Sequence, residues 1–267
     1  MAALMRAIGK YGFNPADFDI VQENVSIRRL DSKFNGYRIV HISDLHIGQW
    51  LSPERLKGVV QLVNEQKPDI VAITGDFVSF AVNEVAEDLA RSLSKLRPND
   101  ATLAVLGNHD HWTSAEKVRN ILRESDVTNL ANSVYTVQRG NAELQFAGLD
   151  DVMVNQHDLA KVISELDQTS PTILLVHEPD FADVSAATGL FDLQLSGHSH
   201  GGQFILPKVG TPFRGSHFKK YPAGRYQVGN MVLYTNRGLG TNTFWIRINC
   251  KPEVTVLALR GNTPQDS

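Results

Sequence analysis

The sequence predicts an α/β fold in which two mixed β-sheets pack together with helices on the outside. Three observations carry that expectation. From Tyr37 onward, apolar β-branched runs alternate with stretches of helical period, which is the pattern of βαβ units. Beyond about residue 130 short alternating strands take over. No Pro/Ser-rich linker, low-complexity tract or internal repeat interrupts the 267 residues, a length that can bury a sizeable core. The expected division is an N-terminal arm over 1–24 and a single domain over 25–267.

Taken in order, Arg38-Ile39-Val40-His41-Ile42 reads as a buried strand, with His41 packed in the fold. Ser52-Pro53-Glu54 opens a helix that runs to about Gln66. Ser52 caps it, Pro53 suits the first helical position because no partner awaits an N–H there, and Leu56, Val59, Val60 and Val63 share one face. Pro68 ends the helix, and Asp69 to Thr74 is the second strand. Asn83 to Leu96 is a second helix with Val85, Leu89, Leu93 and Leu96 inward. Thr102 to Leu106 is the third strand and Ser114 to Glu124 the third helix. Val134 to Val137 and Leu144 to Gly148 flank Arg139-Gly140-Asn141 as a hairpin. Asp158 to Leu166 reads as a helix and Thr172 to Val176 as a buried strand. The tail supplies strands at Tyr226 to Val228, Met231 to Tyr234, Phe244 to Ile248 and Val254 to Leu259.

With 42% hydrophobic and 21% charged residues, the composition excludes disordered, collagen-like and coiled-coil classes. A net charge of −3 argues against a nucleic-acid platform, which needs excess Lys and Arg to neutralise phosphates. The single cysteine, Cys250, allows no intrachain disulfide and no CxxC site, and it reads as a small buried apolar residue in a reducing compartment. No stretch approaches the 18 to 20 apolar residues, roughly, of a membrane helix. Met1 to Ile8 is too short for a signal-peptide core and is expected to be a frayed arm or short surface helix, rather than the remnant of a longer anchor. A cytoplasmic location is expected, with peripheral membrane contact as the alternative.

Groups that bind metals gather where strands end. Asp44 and His46 follow the first strand with i, i+2 spacing, which sends both side chains to one side of an extended segment. Asp76 follows the second strand and Asn108-His109-Asp110 the third, at successive steps of 32 residues, about one βα unit each. Consecutive strands thus deliver these loops to one rim, where open α/β sheets keep their ligand sites. His177 ends a further strand, and His198 with His200 repeats the i, i+2 spacing. Glycines border the set at 75, 107, 197, 201 and 202. One Asp after a strand is an ordinary turn former or cap and one His a surface group; joint occurrence at consecutive strand ends points to metal chemistry.

The set Asp44-x-His46, Gly75-Asp76, Gly107-Asn108-His109-Asp110, His177 and Gly197-His198-x-His200 resembles the calcineurin-like metallophosphoesterase superfamily over about residues 37 to 260. Gly197-His198-Ser199-His200-Gly201-Gly202-Gln203, with Asn236-Arg237-Gly238-Leu239-Gly240 and Pro252-Glu253-Val254, is similar to a bacterial branch that includes phosphodiesterases and UDP-2,3-diacylglucosamine pyrophosphatases. The resemblance implies a four-layer αββα sandwich and two metals: Asp44, His46 and His200 on one, Asn108, His177 and His198 on the other, Asp76 bridging. Mixed N/O ligands suit manganese, iron or zinc better than calcium or magnesium. Such a pair holds a bridging hydroxide for in-line attack on a phosphate ester. His109 is the natural general acid for the leaving group, with Asp110 placed to orient it. The expected activity is a phosphodiesterase; the alternatives are a phosphomonoesterase, a nucleotide-lipid pyrophosphatase or a non-catalytic scaffold.

Other histidines read as ordinary: His111, His157 and His217 as exposed or peripheral. The segment with Lys208, Arg214, His217, Lys219, Lys220 and Arg225 among Phe204, Phe213, Phe218 and Tyr221 has two readings. It is either a solvated loop pinned by its aromatics or a wall that attracts an anionic, lipid-linked substrate or a membrane surface. No GxSxG elbow, GxxxxGK[ST] loop or GxGxxG loop is present.

Overall fold

Side-chain alternation along the central strands builds three apolar layers. The computed structural model describes residues 12–212, 214–242 and 245–261, in which twelve strands form two six-stranded sheets. One sheet contains β1 (Asp19–Ile27), β2 (Arg38–Ile42), β3 (Ile70–Thr74), β4 (Ala101–Val105), β5 (Val127–Asn129) and β12 (Glu253–Gly261), in the order β1-β12-β2-β3-β4-β5. The other contains β6 (Ser133–Arg139), β7 (Ala142–Gly148), β8 (Thr172–Leu175), β9 (Leu193–Ser196), β10 (Gly224–Val228) and β11 (Met231–Thr235), in the order β10-β11-β9-β8-β7-β6. Both are mixed: β2 to β5 run parallel with β12 antiparallel to β2, and β7, β8, β9 and β11 run parallel between antiparallel β6 and β10.

Ile39, Ile70 and Ala72 meet Ile173 and Leu175 between the sheets, whereas the alternate Val40, Ile42, Val71 and Ile73 face outward. Helices α1 (Pro53–Glu65), α2 (Val82–Leu93) and α3 (Asn108–Glu124) cover that outer face with Leu56, Val59, Leu89, Leu93, Val118 and Leu122. Leu174 and Val176 point the other way, under α4 (Leu159–Glu165) and α5 (Ala182–Thr188), which bring Val162 and Ala182. The layers are therefore α, β, β, α. Ser52 caps α1 by accepting from the Arg55 N–H. No helix among the described residues is long and apolar enough to cross a membrane.

Three local expectations change, and one strand appears that the sequence reading does not contain. The sheet begins at Asp19, inside the stretch 1–24 assigned to an arm; β1 is an edge strand whose first six residues lack an inward apolar set, so its alternation is weak. Helix α3 starts at Asn108 rather than Ser114, which is an extended kink inside the helix. Phe244 to Ile248 is not a described strand: within 245–248 only Ile248 makes an isolated bridge, to Phe204, while the Arg247 side chain turns inward to the Gly240 carbonyl (Nε to O, 2.9 Å). Strand β9 was hidden by Gln194, a buried amide that bonds to the Ser196 hydroxyl at 3.0 Å. The arm Met1 to Ile8, Phe213 and Phe244 lie outside the described residues.

His41 is buried, as expected for a strand residue. Its Nε2 lies 2.8 Å from the Thr74 hydroxyl, and Tyr234 approaches edge-on. Burial pushes its imidazole down to about 3, because a charge there would lose its hydration. The folded chain thus binds this proton more weakly than the unfolded chain. Stability that is present above about pH 6.5 is lost as pH falls toward 3, by about 1.4 kcal/mol per unit. Replacing His41 with Gln is expected to flatten urea-unfolding stability between pH 6 and pH 4 by about that slope. An identical slope in both proteins would mean that His41 does not stay neutral.

Candidate metal centre

The parallel strands point their C-terminal ends at one rim, and the loops there are zipped together by main-chain bonds. Asp44 N–H donates to the Gly75 carbonyl and His46 N–H to the Asp76 carbonyl, both at 3.0 Å; Gly240 N–H donates to the Asp44 carbonyl at 2.7 Å. Glycine is required where loops cross. A Cβ at Gly107 would stand 2.3 Å from Asp76 Oδ1, and one at Gly197 would stand 1.8 Å from Ser43 Oγ. Five candidate ligands adopt left-handed backbone: Asp44 (φ 50°), His46 (42°), Asp76 (56°), His198 (66°) and His200 (51°). Asp and His tolerate that region better than most residues, yet each instance costs about 1 kcal/mol or more. Such strain collects where side chains must be aimed.

The aim is inward. Ligand atoms of Asp44, His46, Asp76 and His200, all buried, lie within 4.8 Å of one another. His200 Nε2 is 3.1 Å from His46 Nε2 and 3.3 Å from Asp44 Oδ1. Asp76 Oδ2 stands 3.4 Å from His46 Nε2 and 3.3 Å from His177 Nε2, while its Oδ1 accepts the His109 N–H at 3.0 Å. The rings of His177 and His198 meet at 4.9 Å, and the His198 N–H donates to both Asp44 oxygens at 3.1 Å. The structure thus brings six of the seven candidate ligands together, and the seventh, Asn108, is buried at the first position of α3, next to Gly107.

Outer partners set which nitrogen of each ring faces in. His177 Nδ1 lies 2.6 Å from the Thr74 carbonyl and His198 Nε2 lies 3.0 Å from the Ser216 carbonyl, so those nitrogens carry the proton and donate. The lone pairs left over are Nε2 of His177 and Nδ1 of His198. His46 Nδ1 lies 2.6 Å from Ser79 Oγ, which leaves Nε2 toward the cluster. Burial pushes His198 down to about 3, with nearby His177 adding to it, and lowers His200 likewise, so both rings are neutral donors. Burial also works against a charge on His177, but Asp76 outweighs it and raises that ring well above the ordinary range. A cation takes the place of that proton when ligands of this type bind metal.

A profile of the calcineurin-like phosphoesterase family matches residues 37–202, which contain every one of these ligands. The chain belongs to the calcineurin-like phosphoesterase family. Its relatives include the metallophosphoesterase YkuE of Bacillus subtilis (strain 168), 33% identical over 97% of this chain and 93% of that protein. The phosphodiesterase YaeI of Escherichia coli (strain K12) is 32% identical over 84% of this chain and 82% of its own. The solved NAD nucleotidase NadN of Haemophilus influenzae shares the fold, with a TM-score of 0.50 and 15% identity over 75% of this chain and 45% of that one. This phosphoesterase is a metal-dependent phosphoric ester hydrolase, of a family that uses a dimetal centre.

Asp110 and His111 sit differently from what the sequence suggests. The phosphoesterase's Asp110 carboxylate accepts from the N–H groups of Phe77 (2.9 Å), Val78 (3.2 Å) and Gly107 (3.0 Å), and none of its hydrogen bonds among the described residues goes to the His109 ring. It locks the loop of Asp76 onto the first turn of α3, and burial, helped by Asp76, pushes its carboxyl up to about 7. His109 instead packs against His46 and Trp112, at ring-centre distances of 4.8 and 4.9 Å. His111, expected at the periphery, is half-buried and pairs with Asp150 at 2.8 Å. Ser79, Asp180, Ser216 and Arg247 escaped the sequence reading. Ser79 follows Asp76 by three residues, a discoverable spacing, but a main-chain carbonyl such as that of Ser216 has no signature in the sequence.

Proposed function

We propose that this phosphoesterase is a dimetal phosphodiesterase in which Asp44, His46 and His200 hold one ion, Asn108, His177 and His198 hold the other, and Asp76 bridges. The observation that carries this reading is Asp76 Oδ2, which faces His46 on one side and His177 on the other at 3.3 to 3.4 Å. The residues fit such a pair. Asn108 Oδ1 and His177 Nε2 are buried with no hydrogen-bond partner among the described residues, although the latter lies close to Asp76. Orphaned buried polar atoms are costly, and a cation is the partner that a carbonyl oxygen and an imidazole lone pair share. Manganese, iron and zinc suit the mixed donors.

Bound there, two cations supply an activated water and neutralise phosphoryl charge. The chain does the rest. Asp76 and Asp44 contribute the negative charge, the left-handed loops aim it, and His109 gives a proton to the leaving oxygen from the turn that also carries Asn108. Diester specificity draws support from the likeness to YaeI, a phosphodiesterase. The test is metal content together with a panel of bis-aryl diester, aryl monoester and UDP-linked lipid analogue, each with manganese, iron and zinc. Turnover of the monoester alone would overturn the diester reading; protein that holds no metal and turns nothing over after metal-replete purification would leave a scaffold.

One observation favours a second reading, a lipid-linked pyrophosphate substrate reached at a membrane surface. Phe80, next to Ser79, is 75% exposed and Trp112, against the His109 ring, is 58% exposed, so two large apolar side chains stand open to solvent on segments that carry the site. The basic loop adds less charge than its sequence suggests, because Lys220 pairs with Asp183; Lys219 has no ion pair among the described residues. Lys219→Ala is therefore expected to raise KM for multiply charged phosphates at unchanged kcat, with an effect that fades from about 0.1 M to about 1 M salt. Lys220→Ala should change neither. Steady-state kinetics at two salt concentrations checks both, and a KM in Lys219→Ala equal to that of the wild type for every substrate at low salt would assign the loop a structural role alone.

A further inference from the structure

We propose that Asp180 is a positioning residue for the metal centre: through the strap 216–221 it fixes the ring of His198 and thereby sets how tightly the second ion is held. The inference rests on the dimetal reading above. Asp180 lies three residues beyond His177, in His177-Glu178-Pro179-Asp180, and belongs to no candidate ligand set. Its carboxylate accepts three successive main-chain N–H groups, from Lys219 to Oδ2 at 2.7 Å and from Lys220 and Tyr221 to Oδ1 at 3.1 and 3.3 Å. Its own N–H donates to the His217 carbonyl at 3.0 Å. Four main-chain bonds thus clamp one residue to the strap.

The other end of the strap meets His198. The Ser216 carbonyl accepts from His198 Nε2 at 3.0 Å, and Phe218 lies edge-on to the same imidazole with ring centres 5.5 Å apart. His217, between them, takes left-handed backbone (φ 64°), a conformation that the neighbouring clamp holds in place. The carbonyl does two things for the ring. It selects the tautomer with the proton on Nε2 and the lone pair on Nδ1, and with Phe218 it fixes the rotation about the Cβ–Cγ bond. A short stretch of chain therefore serves both histidines of the second ion, His177 directly and His198 through the strap. A carboxylate suits position 180 because both oxygens accept; an asparagine keeps one acceptor.

The test titrates the metal-depleted full chain with Mn²⁺ by calorimetry, using Asp180→Ala, Asp180→Asn and, as reference, His198→Ala. Partners of this kind are typically worth about 10- to 100-fold in metal affinity. In Asp180→Ala one Mn²⁺ step should weaken by about that factor, the step that His198→Ala loses, while the other step stays at its wild-type affinity. Asp180→Asn should fall between. Should Asp180→Ala fail to fold, Asp180→Asn and Phe218→Ala carry the test, and both should weaken the same step. Two wild-type steps in the Asp180 variants beside a single step in His198→Ala overturn the inference and leave the dimetal reading standing. Two wild-type steps in His198→Ala overturn both. Equal weakening of both steps, with a lowered melting temperature, marks a general loss of structure and overturns the positioning role.

Discussion

Replacing Asp76 with Asn is expected to abolish turnover and to leave at most one metal ion on each chain. The substitution is nearly isosteric, and an amide oxygen can still accept the His109 N–H that Oδ1 now takes at 3.0 Å, so the fold should survive. What changes is charge. The buried cluster of Asp44, His46, Asp76 and His200 contains two carboxylates, and Asn halves the negative charge available to two divalent ions. It also sets an amide, unable to bridge two cations, where Oδ2 now faces His46 at 3.4 Å and His177 at 3.3 Å. Losing one partner from a buried charge cluster is the expensive direction, because the remaining charges stay desolvated and uncompensated. Elemental analysis of protein purified with excess manganese or zinc, with circular dichroism as a folding control, measures the outcome. Two ions per chain and near wild-type turnover would refute the bridging role.

Much of this centre was legible because its logic is periodic. The i, i+2 pairs Asp44/His46 and His198/His200 and the 32-residue steps from Asp44 to Asp76 to Asn108 reflect the repeat of strand, helix and strand, which hydrophobic runs such as Ile39-Val40 and Ile70-Val71 make visible. The two sheets follow from the same runs. What escaped was structure that has no period. Strand β1 alternates only weakly, and β9 carries a buried glutamine. Asp110 is adjacent to His109 in sequence, which suggested that it orients that ring, but consecutive residues on a helix point about 100° apart, and Asp110 caps the turn instead. The acceptors that fix ring tautomers are main-chain carbonyls of Thr74 and Ser216, any of which a different side chain would supply equally well.

His109→Ala is expected to keep both ions yet slow the hydrolysis of unactivated esters by about 10² to 10⁴, the usual worth of a general acid. The main-chain bond from residue 109 to Asp76 survives the change, and no predicted ligand loses a side-chain hydrogen bond, so metal content should hold. The ring is not among the clustered ligand atoms: it packs edge-on to His46 and against the exposed Trp112. Burial lowers its ionisation, with Asp76 pulling partly the other way, so its protonated form is lost as pH rises through a value below the ordinary 6.5. The acid-dependent limb of kcat/KM for an alkyl diester should accordingly lie below pH 6.5 and vanish in the Ala variant. A p-nitrophenolate leaving group needs little protonation, so a bis-aryl diester should lose far less. Comparing kcat for the two substrates across pH decides the role. An equal loss on both, with no change of pH profile, would show that His109 stabilises phosphoryl charge instead of donating a proton.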